Sequence, residues 1–319
     1  MNNNIYKLIK WEVNRMSLLN RELPYVNAYG TVDISKANNV YDALGMAGMD
    51  WEVKSKALYD ENGNEYPGFR ANVKEDDNSL LGIVSNSYKI VQNEDAFKFV
   101  DNLIDEGFEF DRAGVFRGGK SIWVMGNFPK ENILGDDVAN NIVFVNSHDG
   151  SSGVKVMMTP VRLICYNMIN VALKKANRIW AAKHTRRIET RMDEARYTLG
   201  LANKYISALK DEADILSNQK VTEAQLEAIF DAMFPIDTEK DTERKIKNIT
   251  VLKDNFFGCY NEADIAKFKG TAWGAINAMA DLVAHSDPTR LTESYYENAW
   301  NKLINGHPVF DDFCKRVRA

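Results

Sequence analysis

The chain has 319 residues, 45% of them hydrophobic and 27% charged, with a formal net charge of −5. Such totals give a soluble globular protein with an ordinary core, in one large or two smaller domains, and three widely spaced cysteines exclude a disulfide framework or a CxxC metal site. An acidic pI near 5.6 excludes a protein that coats a polyanion with its whole surface, so any nucleic-acid binding must be local.

No apolar run is long enough to span a bilayer, and Met1-Asn2-Asn3-Asn4 lacks the charged start and apolar middle of a signal peptide. The expected location is the host-cell cytoplasm. Residues 5–19 carry apolar side chains at helical spacing (Ile5, Leu8, Ile9, Val13, Met16), and an extended connection with Pro24 and Gly30 follows. Ser35 is positioned to cap a helix over 36–47 that Gly48 ends.

Three strands are expected over 51–59, 66–74 and 80–91. Asn62-Gly63 favours a tight hairpin between the first two, and Glu75-Asp76-Asp77-Asn78 breaks the second from the third. Asn93 is a cap candidate for a helix with Phe97, Val100 and Ile104 on one face, closed by Gly107. Strands at 108–116 and 121–128 form a hairpin across Arg117-Gly118-Gly119-Lys120.

A β-branched run, 142–145, stops at Asn146-Ser147-His148-Asp149-Gly150-Ser151-Ser152-Gly153, and a second β-type run goes from Val154 to Cys165. From Tyr166 the period turns helical. The first 180 residues therefore read α-βββ-α-ββββ-α, with too few helical crossovers for a parallel sheet. Helices follow over 188–216, 222–235, 241–259, 271–285, 291–304 and after Pro308. The fold class is α+β: an antiparallel sheet with flanking helices over residues 1–185, then an all-helical half over 186–319 packed on it.

Several short blocks carry a family resemblance. Asp50-Trp51-Glu52-Val53, Val91-Gln92-Asn93, Gly118-Gly119-Lys120, Asn146-Ser147-His148-Asp149-Gly150-Ser151, Thr159-Pro160-Val161-Arg162, Cys165 with Asn167, His184-Thr185 and Thr271-Ala272-Trp273-Gly274 occur in that order. Together they resemble the phage/plasmid-like protein family, catalogued as domain of unknown function 932. The resemblance implies a mobile-element setting and brings no catalytic residues. A second, topological resemblance is to the Rad52-type single-strand annealing proteins, which share a helix, a Gly/Trp junction, three antiparallel strands and a helix.

The charge pattern points to a partner. Residues 174–191 hold seven cations (Lys174, Lys175, Arg178, Lys183, Arg186, Arg187, Arg191) against Glu189 alone, a local charge of +6, so the remainder sums to −11. A positive strip on an acidic chain attracts a polyanion at one place and repels it elsewhere. The expected groove carries Lys155, Arg162, Lys174, Lys175, Arg178, Lys183, Arg186 and Arg187, with Trp180 as a platform for an unpaired base. Arg186 and Arg187 open a helix, where the dipole disfavours cations unless an anion offsets them. Arg117 and Lys120, at a glycine-rich tip, and the pair His148 and Asp149 are additional contact candidates.

No Walker, GxGxxG, GxSxG or HExxH motif is present, and His148-Asp149 lacks the further ligands that a metal needs. The resulting expectation is a single-stranded DNA binding or annealing protein of a mobile element, a homo-oligomer without catalytic turnover, metal or cofactor. An exposed strand edge in the 51–91 meander could serve the oligomer. Two alternatives stay open: a metal-dependent nuclease or hydrolase using His148 and Asp149, and an interaction protein whose acidic helical half engages a host factor.

Overall fold

The computed structural model describes residues 31–161, 179–185, 202–262, 266–285 and 307–319. Two compact units are present, Tyr29–Lys220 and a second that contains Val221–Ala319.

The first unit is built from two antiparallel sheets. The three-stranded one runs β2 (Val53–Tyr59), β3 (Glu65–Lys74), β4 (Leu80–Ser85) in sequence order, as short turns demand. The six-stranded one has the order β1 (Val32–Asp33), β5 (Glu109–Phe116), β6 (Ser121–Ile133), β7 (Asp136–Ser147), β8 (Val154–Val161), β9 (Ile179–Ala182). Both faces of the central strands are covered: Ile122 and Val124 on β6, Ile142 and Phe144 on β7, and Val154 and Val156 on β8 on one face, and Trp123, Val143 and Val145 on the other, are all 3% exposed or less. Against the first of these faces pack α1 (Val40–Met46), α2 (Asn93–Phe97), the 3-10 turn Lys98–Val100 and α3 (Asp101–Ile104), which bring Leu44, Phe97, Phe99 and Leu103 into one cluster with Phe108 and Phe110. The Phe97, Phe99 and Phe108 rings meet Phe144 edge-on at 5.4 to 6.5 Å between centroids.

The α+β class and the antiparallel pairing expected from the strand patterns are present. Local details differ for identifiable reasons. Ser35 donates to Asp33 instead of capping, and the helix begins later, with Asn39 accepting from the Asp42 amide at 2.8 Å. Asn93 is the first residue of α2 and not its cap, because its amide is drawn into the protein interior. β6 and β7 run past 128 as a long ribbon closed at Leu134-Gly135, both at positive φ. Ile179–Ala182, expected within a helical and basic stretch, is instead an edge strand paired with β8. The helix expected from Tyr166 lies outside the described residues.

A helix, α4 (Ala202–Asn218), belongs to the first unit and ties to the ribbon through Lys210 and Glu131 at 2.8 Å. The second unit has α5 (Glu223–Met233), α6 (Glu243–Tyr260), α7 (Ala272–His285) and α8 (Pro308–Arg318). Their starts follow the sequence: Thr222 and Gln225 form a reciprocal capping box, Thr242 caps α6, and Pro308 opens α8. Phe256 lies at the centre of the aromatic core, 4.9 Å from Phe230 and 5.3 Å from Phe313 between centroids. Trp273, from the Thr271–Gly274 block, is 6% exposed on α7. Among the described residues no helix is long and apolar enough to cross a membrane.

Candidate functional site

At the end of β7 the chain enters Asn146-Ser147-His148-Asp149-Gly150, and here the two sheets of the first unit meet. Asn146, Ser147 and His148 are fully buried. Polar side chains at zero exposure must be bonded or costly, so the partners of these three define the place.

The extended segment before α2 is laced by side chains at every second residue. His184 Nδ1 donates to the Lys89 carbonyl at 2.9 Å, Asn146 Nδ2 to the Val91 carbonyl at 3.0 Å, and His148 Nε2 to Asn93 Oδ1 at 2.8 Å. Asn93 in turn donates to the Met49 carbonyl at 2.8 Å, which makes its oxygen the acceptor and fixes the proton of His148 on Nε2. Gln92 completes the lace by exchanging two bonds with the Val53 backbone, at 2.9 and 3.0 Å, as a neighbouring strand would.

The three-stranded sheet closes over the other side. Asn72 on β3 donates to the His148 carbonyl at 2.7 Å, and the Lys120 carbonyl accepts from the His148 amide at 2.8 Å. Trp51 meets the imidazole edge-on at 5.4 Å, with the Lys74 ammonium 4.6 Å above the indole. A Cβ on Gly82 would lie 2.5 Å from the Asp149 backbone, and one on Gly119 (φ +103) would lie 3.1 Å from Trp51. Only glycine permits either approach. Tyr88 stacks on His184 at 4.6 Å and donates to the Ser147 carbonyl at 2.7 Å.

Burial controls the acid–base behaviour here. Desolvation, with the neighbouring His184 adding to it and Asp149 opposing it, pushes His148 down to about 3, so it is neutral at physiological pH. His184 is also lowered by burial, against the opposing effect of the Lys89 carbonyl, and Tyr88 is raised by burial. His148 Nδ1, His184 Nε2, Asn72 Oδ1, Asn146 Oδ1 and Trp51 Nε1 are buried without a hydrogen-bond partner. Among the described residues no group of three or more His, Cys, Asp or Glu side chains is placed to hold a metal ion.

The expected contact residues separate into groups. Arg117 (φ 50) pairs with Asp149 at 3.3 Å, and Asp149 also accepts from the Ser151 amide and hydroxyl. Arg117, Lys120, His148 and Asp149 are therefore brought together, as parts of the junction between the sheets. Lys155 is half-buried on β8, its ammonium lowered by desolvation, and pairs in register with Ala181. Trp180 pairs one rung away, with the core residue Val156, and Lys183 is exposed just beyond β9. Arg162, Lys174, Lys175, Arg178, Arg186 and Arg187 lie outside the described residues.

Asn72, Tyr88 and Gln92 were not singled out individually from the sequence, and Asn93 was read as a cap. A signal did exist: the blocks around Trp51, Asn93, Gly119, His148 and His184, scattered over 134 positions, are the ones that meet here.

The class defined by this fold and site is an α+β protein whose recurring short blocks build an interlock between two antiparallel sheets. The chain matches the family described as Domain of unknown function (DUF932) over residues 80–302. It belongs to that family. No match was found among curated proteins or among solved structures.

Proposed function

We propose that this protein binds single-stranded nucleic acid, as a homo-oligomer in the cytoplasm of a host cell, in the recombination or replication of a mobile element. The carrying observation is electrostatic: a stretch of +6 over 174–191 in a chain whose remainder sums to −11. β9, the last strand of the six-stranded sheet, falls inside this stretch. Lys174, Lys175 and Arg178 precede it, and Lys183, Arg186 and Arg187 follow. Cations flanking a strand in sequence suit a phosphate backbone, and each phosphate neutralised releases condensed counterions. Trp180, inside the same stretch, is the proposed stacking residue, worth about 1–3 kcal/mol per base.

A reading as a nuclease built on His148 and Asp149 has less support. His148 has its Nε2 bonded to Asn93 and is fully buried, and Asp149 is occupied by Arg117 and Ser151.

The test is a salt titration of oligonucleotide affinity, single- against double-stranded. The expected result is tighter single-strand binding, with log K falling linearly in log salt at a slope of about −0.7 per phosphate contacted. Reversing Lys174, Lys175, Arg186 and Arg187 to Glu reduces that slope by two units or more. No binding at low salt, or a slope that survives the four reversals, overturns the proposal.

A further inference from the structure

Half of the exposed large hydrophobic side chains among the described residues lie on the small three-stranded sheet. Of Tyr41, Met46, Tyr59, Tyr66, Phe69, Leu80, Ile83, Ile215, Ile236 and Val251, the five from 59 to 83 belong to β2, β3 and β4. This sheet has two edges, and they are defended unequally. β2 carries Lys54 and Lys56, both exposed, along its length, the usual protection against edge-to-edge pairing.

β4 is Leu80-Leu81-Gly82-Ile83-Val84-Ser85, with no charge and no proline. Leu81 and Val84 are buried, while Leu80 and Ile83 are 53% and 56% exposed. Phe69, opposite Ser85 on β3, is 54% exposed and continues the apolar patch inward from that edge. Among the described residues no backbone hydrogen bond reaches β4 except from β3 and from its own turns.

We infer that the free edge of β4 pairs antiparallel with β4 of a second copy, joining two three-stranded sheets into one of six strands. This rests on the oligomeric part of the function proposed above and names the surface that serves it. The occupant follows from the charges flanking the strand. Asp76 and Asp77, both exposed, precede β4 and the exposed Lys89 follows it. An antiparallel two-fold sets the acidic turn of each copy beside the basic end of the other, whereas a parallel pairing would set acid against acid.

A two-fold normal to the sheet keeps the faces aligned, so Leu80, Ile83 and Phe69 of both copies form one apolar surface and no strand is left to propagate a fibre. Pairing about an axis at Ile83 sets residues 81–85 of the two copies against each other, and with these side chains covers on the order of 500 Å² per copy, about 1,000 Å² in total, the size of a weak specific contact.

The experiment is sedimentation of the full chain, without nucleic acid, over a hundredfold concentration range, with Ile83→Lys and Val251→Lys compared with wild type. Ile83 and Val251 are both exposed, so neither change threatens folding, and thermal melting checks this. The expected result is a wild-type dimer, unchanged in Val251→Lys and weakened roughly a hundredfold in Ile83→Lys, because two lysines meet at the axis. Hydrogen exchange adds a second readout: amides of 80–85 slow as the wild type dimerises. A monomer at every concentration overturns the assembly itself. A dimer indifferent to Ile83→Lys, or an open-ended polymer, overturns this surface and leaves nucleic-acid binding to its own test.

Discussion

His148 shows how one side chain can fix an interface. Its ring bonds Asn93 at the start of α2, its amide bonds the carbonyl of Lys120, and its carbonyl accepts from Asn72 on the small sheet. The folded protein holds the imidazole neutral down to about pH 3, whereas in the unfolded chain it takes a proton near pH 6.5. As pH falls through 6.5 the unfolded state binds a proton that the folded state refuses, so stability drops progressively until about pH 3. The full effect is on the order of 5 kcal/mol. His148→Gln, which keeps a donor for Asn93, is expected to flatten this acid limb while costing about 1–3 kcal/mol at pH 7. Urea midpoints of both proteins at pH 7 and pH 4 check it, and equal slopes between the two pH values would remove the assignment. The residue was legible as a polar tip after a strand. Its partners were not, because Asn93 lies 55 positions away and the bond between them depends on tertiary packing that no local pattern records.

Among elements, the strands of the meander and the β5–β6 hairpin could be read directly, since alternation and Asn-Gly or Gly-Gly turns act over a few residues, although the third strand, expected over 80–91, ends at Ser85. β9 could not. Ile179-Trp180-Ala181-Ala182 is four residues long between cations, too short to distinguish a period of two from one of 3.6, and only its pairing with β8 defines it. The contact between β4 and the Asn146–Gly150 tip gives a test at this scale. Gly82→Ala drives a Cβ to 2.5 Å from the Asp149 backbone, which cannot swing aside as a side chain tip would. The expected loss is about 1–3 kcal/mol, read as a lower urea midpoint at unchanged m. Gly45→Ala is the control: nothing lies within 4 Å of its added methyl, and in a helix the change is expected to stabilise by up to about 1 kcal/mol. A larger loss at Gly45 than at Gly82 would contradict this account of the junction.

For the whole molecule, composition and period gave the α+β class, and charge gave the proposed partner. What they left out is how the first unit closes: two sheets meet through buried amides and imidazoles instead of an oily seam. The family match begins at residue 80, the first residue of β4, while β2 and β3 precede it. β4 depends on β3 for its backbone pairing, and His148 depends on Asn72 and Trp51 for its enclosure. A polypeptide that begins at residue 80 and keeps the rest of the chain would therefore start with a bare, uncharged, adhesive ribbon and an uncovered imidazole. It is expected to collect in inclusion bodies when expressed, whereas the full chain stays in the supernatant, a difference visible on a gel. For this chain, the boundary found by matching sequences cuts through a folding unit.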